Sequence, residues 1–176
     1  NITRLLDDGT ELDSLQRSYT FQGYQIYQTA NATVSPSQLS DVEVSRLVAT
    51  VDVKDSVDVV VNYVLDQTME LPVPVLAANG PNEGIRHSFK ITSDAFAQGD
   101  SRLVNHKTYY FIVVAYGYNN YQDYNPVLRS GQAEQYKVSR RSGTGGAIRA
   151  VAVIPHKPTV ENGGTVSNAS YGDGVQ

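Results

Sequence analysis

The sequence predicts an all-β, two-layer sandwich, on three observations. Stretches of alternating apolar and polar residues recur at short spacing, turn-forming residues separate them, and no stretch carries the apolar stripe of an amphipathic helix. The 176 residues suffice for one core with insertions or a tail. With 40% apolar and 18% charged residues, the chain belongs with globular rather than disordered sequences.

Residues 1–18 hold a turn signal, Asp7-Asp8-Gly9-Thr10, among a few leucines. Tyr19–Gln28 reads as a strand with Tyr24 and Ile26 on one face, and Gln22 and Gln28 in the same register. Residues 29–41 form a loop, and Ser35-Pro36 offers the start of a helical turn over 36–44. Arg46–Val53 alternates again, Lys54-Asp55 reads as a tight turn, and Val57, Val59, Val61, Tyr63 and Leu65 continue the pattern. This predicts a β-hairpin, although the dipeptide lacks the usual Gly.

Pro72 and Pro74 confine Leu71–Val75 to an edge strand or an extended loop. Ile85–Thr92 shows the cleanest alternation and predicts a strand with Ile85, His87, Phe89 and Ile91 on its buried face. After a polar connection, 93–107, Thr108–Tyr118 is apolar on both faces. It should be central and covered on both sides. Asn119–Pro126 is a polar loop. Gln132–Arg141 fits a strand or a short helix, 142–146 is a Gly-rich turn, and Ala147–Ile154 is a last strand stopped by Pro155. The expected organisation is one sandwich over 1–155, with a linker toward a further domain at 156–176.

Composition excludes several functions. A net charge of −4 and a single small basic cluster, Lys137, Arg140 and Arg141, speak against nucleic acid. The absence of Cys excludes disulfides, thiolate zinc sites and Cys nucleophiles. No apolar run approaches the ~20 residues of a membrane helix. The chain opens at Asn1 without Met and without a signal peptide, and reads as a processed or excised fragment.

Candidate chemistry is sparse. His87, His106 and His156 have no ligand-like spacing, and there is no G-x-S-x-G. Gly143-Thr144-Gly145-Gly146 is not followed by a Lys-bearing helix, which argues against a phosphate loop. Asp41/Glu43, Asp52/Asp55 and Asp94/Asp100 read as solvated strand-end charges. No enzyme and no cofactor are therefore expected. Two oxygen-rich loops are candidates for calcium or plain turns: Asp7, Asp8, Glu11 and Asp13, and Asn119, Asn120, Asp123 and Asn125. Tyr116, Tyr118, Tyr121 and Tyr124 either pack over the sandwich end or form a binding surface for sugars or a protein partner.

Tyr109-x-Phe111-x-Val113-x-Ala115, with Leu103 six residues before Tyr109, resembles the penultimate strand of a fibronectin type III domain. Gly23-Tyr24-Gln25-Ile26-Tyr27 is similar to that family's third strand. The resemblance implies an immunoglobulin-like sandwich with Tyr24, Ile26, Leu103, Tyr109, Phe111, Val113 and Ala115 in structural roles. Tyr109 would form a tyrosine corner, its hydroxyl bonding backbone and its ring filling the core. Long inserted loops, above all 57–84, depart from the family, as does the absence of Trp. At most one strand fits into 1–18, so the family's first strands come from upstream or from another chain.

A narrower likeness links Tyr19–Gln28, Tyr109–Tyr116 and Val153–Pro158 to modules of large Bacteroidota surface proteins of the type IX secretion pathway. It implies a secreted or cell-surface location, and O-glycosylation motifs at Asp13-Ser14-Leu15 and Asp55-Ser56-Val57. Sequons at Asn1, Asn31 and Asn168 would matter only in a eukaryotic secretory route. The expected function is a non-catalytic structural or adhesive module partnered by neighbouring domains or subunits. The alternative is a carbohydrate-binding accessory module of a secreted hydrolase.

Overall fold

A computed structural model of the protein describes residues 18–156. These residues form seven strands, one short 3-10 turn at Pro36–Gln38 and no α-helix. The strands are β1 (Thr20–Thr29), β2 (Ser45–Asp52), β3 (Val59–Asp66), β4 (Leu71–Asn79), β5 (Tyr109–Tyr118), β6 (Tyr136–Val138) and β7 (Val151–Val153). All strand pairs are antiparallel. One sheet runs β2-β1-β5-β6, with β7 also paired to β5; β3 and β4 form a second sheet.

Residues paired across antiparallel strands share a face. Ile26 meets both Ala49 and Val113, and Phe111 meets Gln28 and Val151. These residues, with Tyr24, Tyr109 and Ala115, define one face of the large sheet. Gln25, Tyr27, Ile112, Val114 and Tyr116 define the other. The second face is closed. Val34, Leu39, Val44 and Ile148 pack over Ile112 and Val114, and Val60 and Ala78 of the small sheet pack over Tyr116. Ile112 and Val114 have no exposed surface, and fully burying such a side chain stabilises by roughly 1.5–3 kcal/mol. β5 is central, as its two apolar faces predict, but only this face is fully covered.

Two local expectations are corrected. Lys54-Asp55 does not close a hairpin, because β2 pairs with β1, and β3 pairs with β4. The dipeptide lacks the Gly that most favours the left-handed backbone of a two-residue hairpin. Instead Ser56 takes φ 72°, and the Asp55 carboxylate accepts the Val57 N–H at 3.0 Å and the Gln22 amide at 3.0 Å. These bonds turn the chain away from the large sheet. The β3–β4 hairpin turns instead through Glu70 at φ 52°, with Asp66 Oδ1 accepting the Thr68 and Met69 N–H groups.

Ile85–Thr92 is not a strand either, and His87 and Phe89 are exposed. A strand exists through its ladder, and no described strand pairs with this segment. It lies beside β2 and contributes Ile91 to the core. Of the later segments, only Tyr136–Val138 within 132–141 and Val151–Val153 within 147–154 form strands. Residues 1–17 and the tail from 157, with the first calcium candidate and Ser14, lie outside the described residues.

Candidate functional site

The half-covered face of the large sheet is anchored at one end by Tyr109. Its ring is buried, and its hydroxyl accepts the Val104 N–H at 2.9 Å, five residues upstream. Leu103 and Ile91 pack on the cluster of Ile26, Tyr109 and Phe111. A polar clamp holds this loop down. Asp94 accepts from Gln28 Nε2 at 2.6 Å and from Lys107 Nζ at 2.9 Å, and the Ala95 N–H donates to Gln28 Oε1 at 2.7 Å. Lys107 also stands 4.8 Å from the Tyr109 ring centroid. Burial opposes the charge on Asp94, but the bonds from Lys107 and Gln28 outweigh it and hold its pKa below the ordinary carboxylate value.

Beyond this clamp the same face is open. Val113, in the middle of the central strand, is 48% exposed, and Val151 is 62% exposed. Val113 is therefore not the core residue expected. Ala115 and Tyr24 are half-buried, with Tyr24 in edge-to-face contact with the exposed Phe21 at 5.0 Å. The open strip thus runs from Val151 past Val113 toward Phe21. Where this face meets the β2 edge, a cleft of about 540 Å³ separates Val48, Ala49, Thr50 and Val51 from Phe89 and Lys90 on the facing segment.

The four tyrosines, read as packing over the sandwich end or as a binding surface, do not form one exposed row. Tyr116 is buried and stacks on Tyr136 at 5.4 Å, Tyr118 packs against the same cluster, and Tyr124 lies 4.6 Å from Tyr63. Neither Tyr118 nor Tyr121 forms a ring pair among the described residues, and both are half-buried. Burial pushes the Tyr116 pKa up to about 12, with Asp52 and Asp55 adding to the rise. Asn120 and Asn125 beside these rings make local bonds, although Asn120 Oδ1 is buried without a partner among the described residues. Asn120 Nδ2 donates to Asp123 at 2.9 Å, and Asn125 Oδ1 accepts the Val127 and Leu128 N–H groups at 3.0 Å. Among the described residues no three His, Cys, Asp or Glu are placed to hold a metal ion.

The histidines do not converge. His87 is exposed, the His106 N–H donates to the Pro155 carbonyl at 2.8 Å, and the His156 ring lies near the Ile154 carbonyl. Two carboxylates expected in solvent are instead buried. Asp94 is the clamp. Asp52 is fully buried, with Oδ1 accepting the Asn82 N–H at 2.8 Å and Oδ2 unbonded. Desolvation raises its pKa, and Asp55 and Asp58 raise it further.

The sequence reading missed a third polar set on β1. Gln22, Gln25 and Gln28 are all buried, and each ties the strand to a different segment: 55–57, Ala77 of β4, and 94–95. A bulge at Gln22 breaks the alternation of β1 there, whereas Gln25 and Gln28 keep it and lie on opposite faces; the irregularity beside Ile26 is a bulge of β2 at Val48. No protein-family model, no curated protein and no solved structure matches this chain.

Proposed function

We propose that the chain is a non-catalytic structural or adhesive module of an extracellular or cell-surface assembly, built as an incomplete immunoglobulin-like sandwich of the fibronectin type III kind. Its location and its Bacteroidota, type IX-secreted origin rest on the sequence resemblance. The Tyr109–Val104 bond supports the fold reading, since it is the bond expected of a tyrosine corner. The observation that carries the functional reading is the open face. A central-strand valine half in water, next to exposed Val151, is what remains when one layer of a sandwich is supplied from elsewhere. In this reading the buried polar groups serve as loop fasteners, doing in a Cys-free chain what disulfides do in many secreted domains.

The chain has no cysteine, so an introduced one adds a single labelling site to it, read against the unsubstituted polypeptide as background. In cells producing the native polypeptide, Thr144→Cys, on an exposed turn, should react with a membrane-impermeant maleimide. Val113→Cys should be protected there, yet react in the isolated chain. Silence at Thr144→Cys would refute the surface location. Equal labelling of both sites in cells would refute the covered face.

A further inference from the structure

The cleft beside β2 has two unpaired backbone walls. β2 is the last strand of its sheet, and four consecutive residues, Val48–Val51, line the cleft, so its wall is the strand edge rather than one set of side chains. Outside the β1 ladder, the backbone of 46–51 makes no hydrogen bond among the described residues. Across the gap, the backbone of 85–91 makes none either, despite its strand-like alternation. Such edges are costly to leave open and are templates for another strand. The apolar lining comes from Val48, Ala49, Val51, Phe89 and Ile91. On the rim, Glu83 is bridged to Arg86, which leaves Lys90 an exposed cation with no acidic partner among the described residues.

We infer that this cleft receives one extended strand from another polypeptide, hydrogen-bonded to β2 on one side and to 85–91 on the other. Insertion turns two open edges into ladders and converts 85–91 into the strand its sequence encodes. The apolar lining selects alternate apolar side chains on the guest. The uncompensated Lys90 selects an acidic residue at an intervening position. The inference rests on the assembly reading above and names the kind of segment that the assembly supplies.

The test uses the whole chain and two peptides of about nine residues, a common strand length. One alternates valine with threonine and glutamate; the other carries lysine in place of glutamate. Fluorescence anisotropy should show the glutamate peptide binding more tightly. Lys90→Glu, an exposed substitution, should weaken it about tenfold and reverse the preference. Hydrogen exchange should show amides of both 46–51 and 85–91 gaining protection when the glutamate peptide binds.

Four results would overturn the inference. No protection at either wall with millimolar peptide, or no response to Lys90→Glu, would remove the site. Both walls already protected in the free chain would mean that they close on each other or on another part of the same chain. Protection that grows with protein concentration would make the guest a second copy. None of these results moves the Val113→Cys labelling in cells, so the failure of this inference is distinguishable from failure of the assembly reading.

Discussion

The Tyr136 hydroxyl donates to Gln25 Oε1 at 2.7 Å, joining β6 to the middle of β1 beneath the small sheet. The same oxygen accepts the Tyr27 hydroxyl at 3.1 Å, and Gln25 Nε2 donates to the Ala77 carbonyl at 3.1 Å. One buried amide therefore satisfies three groups from three elements. Tyr136→Phe removes one donor and leaves Gln25 bonded, so it should cost about 0.5–1.5 kcal/mol. Gln25→Leu deprives two hydroxyls and a carbonyl, all partly buried, of their partner and should cost about 1–3 kcal/mol, more than Tyr136→Phe. Urea unfolding of both variants checks the order; equal costs would show that the network is not shared through Gln25.

Tyr109→Phe tests the Tyr109–Val104 bond separately. The ring stays and the Val104 N–H loses its acceptor. The expected loss is ~0.5–1.5 kcal/mol, with faster amide exchange at Val104. Unchanged thermal unfolding together with unchanged exchange would mean that water replaces the phenol and that the bond does not hold the loop.

The two buried carboxylates should give stability opposite pH dependences. Asp94 has a folded pKa below its ordinary 3.8, so its contribution is present above 3.8 and is lost as pH falls through the depressed value. Asp94→Asn should therefore reduce stability near neutral pH and flatten the acid limb below 3.8. Asp52 has a raised folded pKa, so its contribution is present below 3.8 and is lost as pH rises through the raised value. Asp52→Asn keeps an oxygen for the Asn82 N–H and should flatten the decline on the other side of 3.8. Denaturation midpoints across acid pH read both effects, and the slopes should change on opposite sides.

Much of the large sheet is legible in the sequence, because β1, β2 and β5 combine alternation with β-branched and aromatic residues. Leu103 and Tyr109 also meet in one cluster, with the Val104 N–H on the Tyr109 hydroxyl. The pairing is less legible. Alternation says that Val57–Leu65 is extended, but its partner is settled by Asp55 and Ser56 turning the chain and by Asp66 capping the next turn. Ile85–Thr92 carries a strand pattern without a strand partner, which no local reading detects. Asp52 and Asp94 look like surface charges because burial depends on Asn82, Gln28 and Lys107, which come from distant segments. The open strip is equally hidden. Val113 has the same local pattern as buried Phe111, and only the layer above each tells them apart.

Gly23 offers a sharp check on how closely β1 and β2 approach. A strand glycine normally weakens a sheet, and Ala in its place would be expected to gain roughly 0.5–1 kcal/mol of backbone entropy. Here a Cβ would lie 2.1 Å from the Val51 carbonyl oxygen and 2.9 Å from the Asp52 Cα. Both obstacles are backbone of the adjacent strand, so relief requires moving β2 rather than rotating a side chain. The Gly23→Ala variant should lose about 1–3 kcal/mol, as overpacked sites do, despite the entropic gain. Gly80→Ala meets the Asp52 carboxylate instead, at 2.1 Å, and should displace it from the Asn82 N–H and expose it to solvent. Gly80→Ala should then remove the raised-pKa behaviour of Asp52 as well as lower stability. Gly143, where a Cβ would meet nothing within 4 Å, is the control, and Ala there should be neutral or stabilising by about 0.4–1 kcal/mol. A tolerated Gly23→Ala beside a neutral Gly143→Ala would show that β1 and β2 stand farther apart than this register requires.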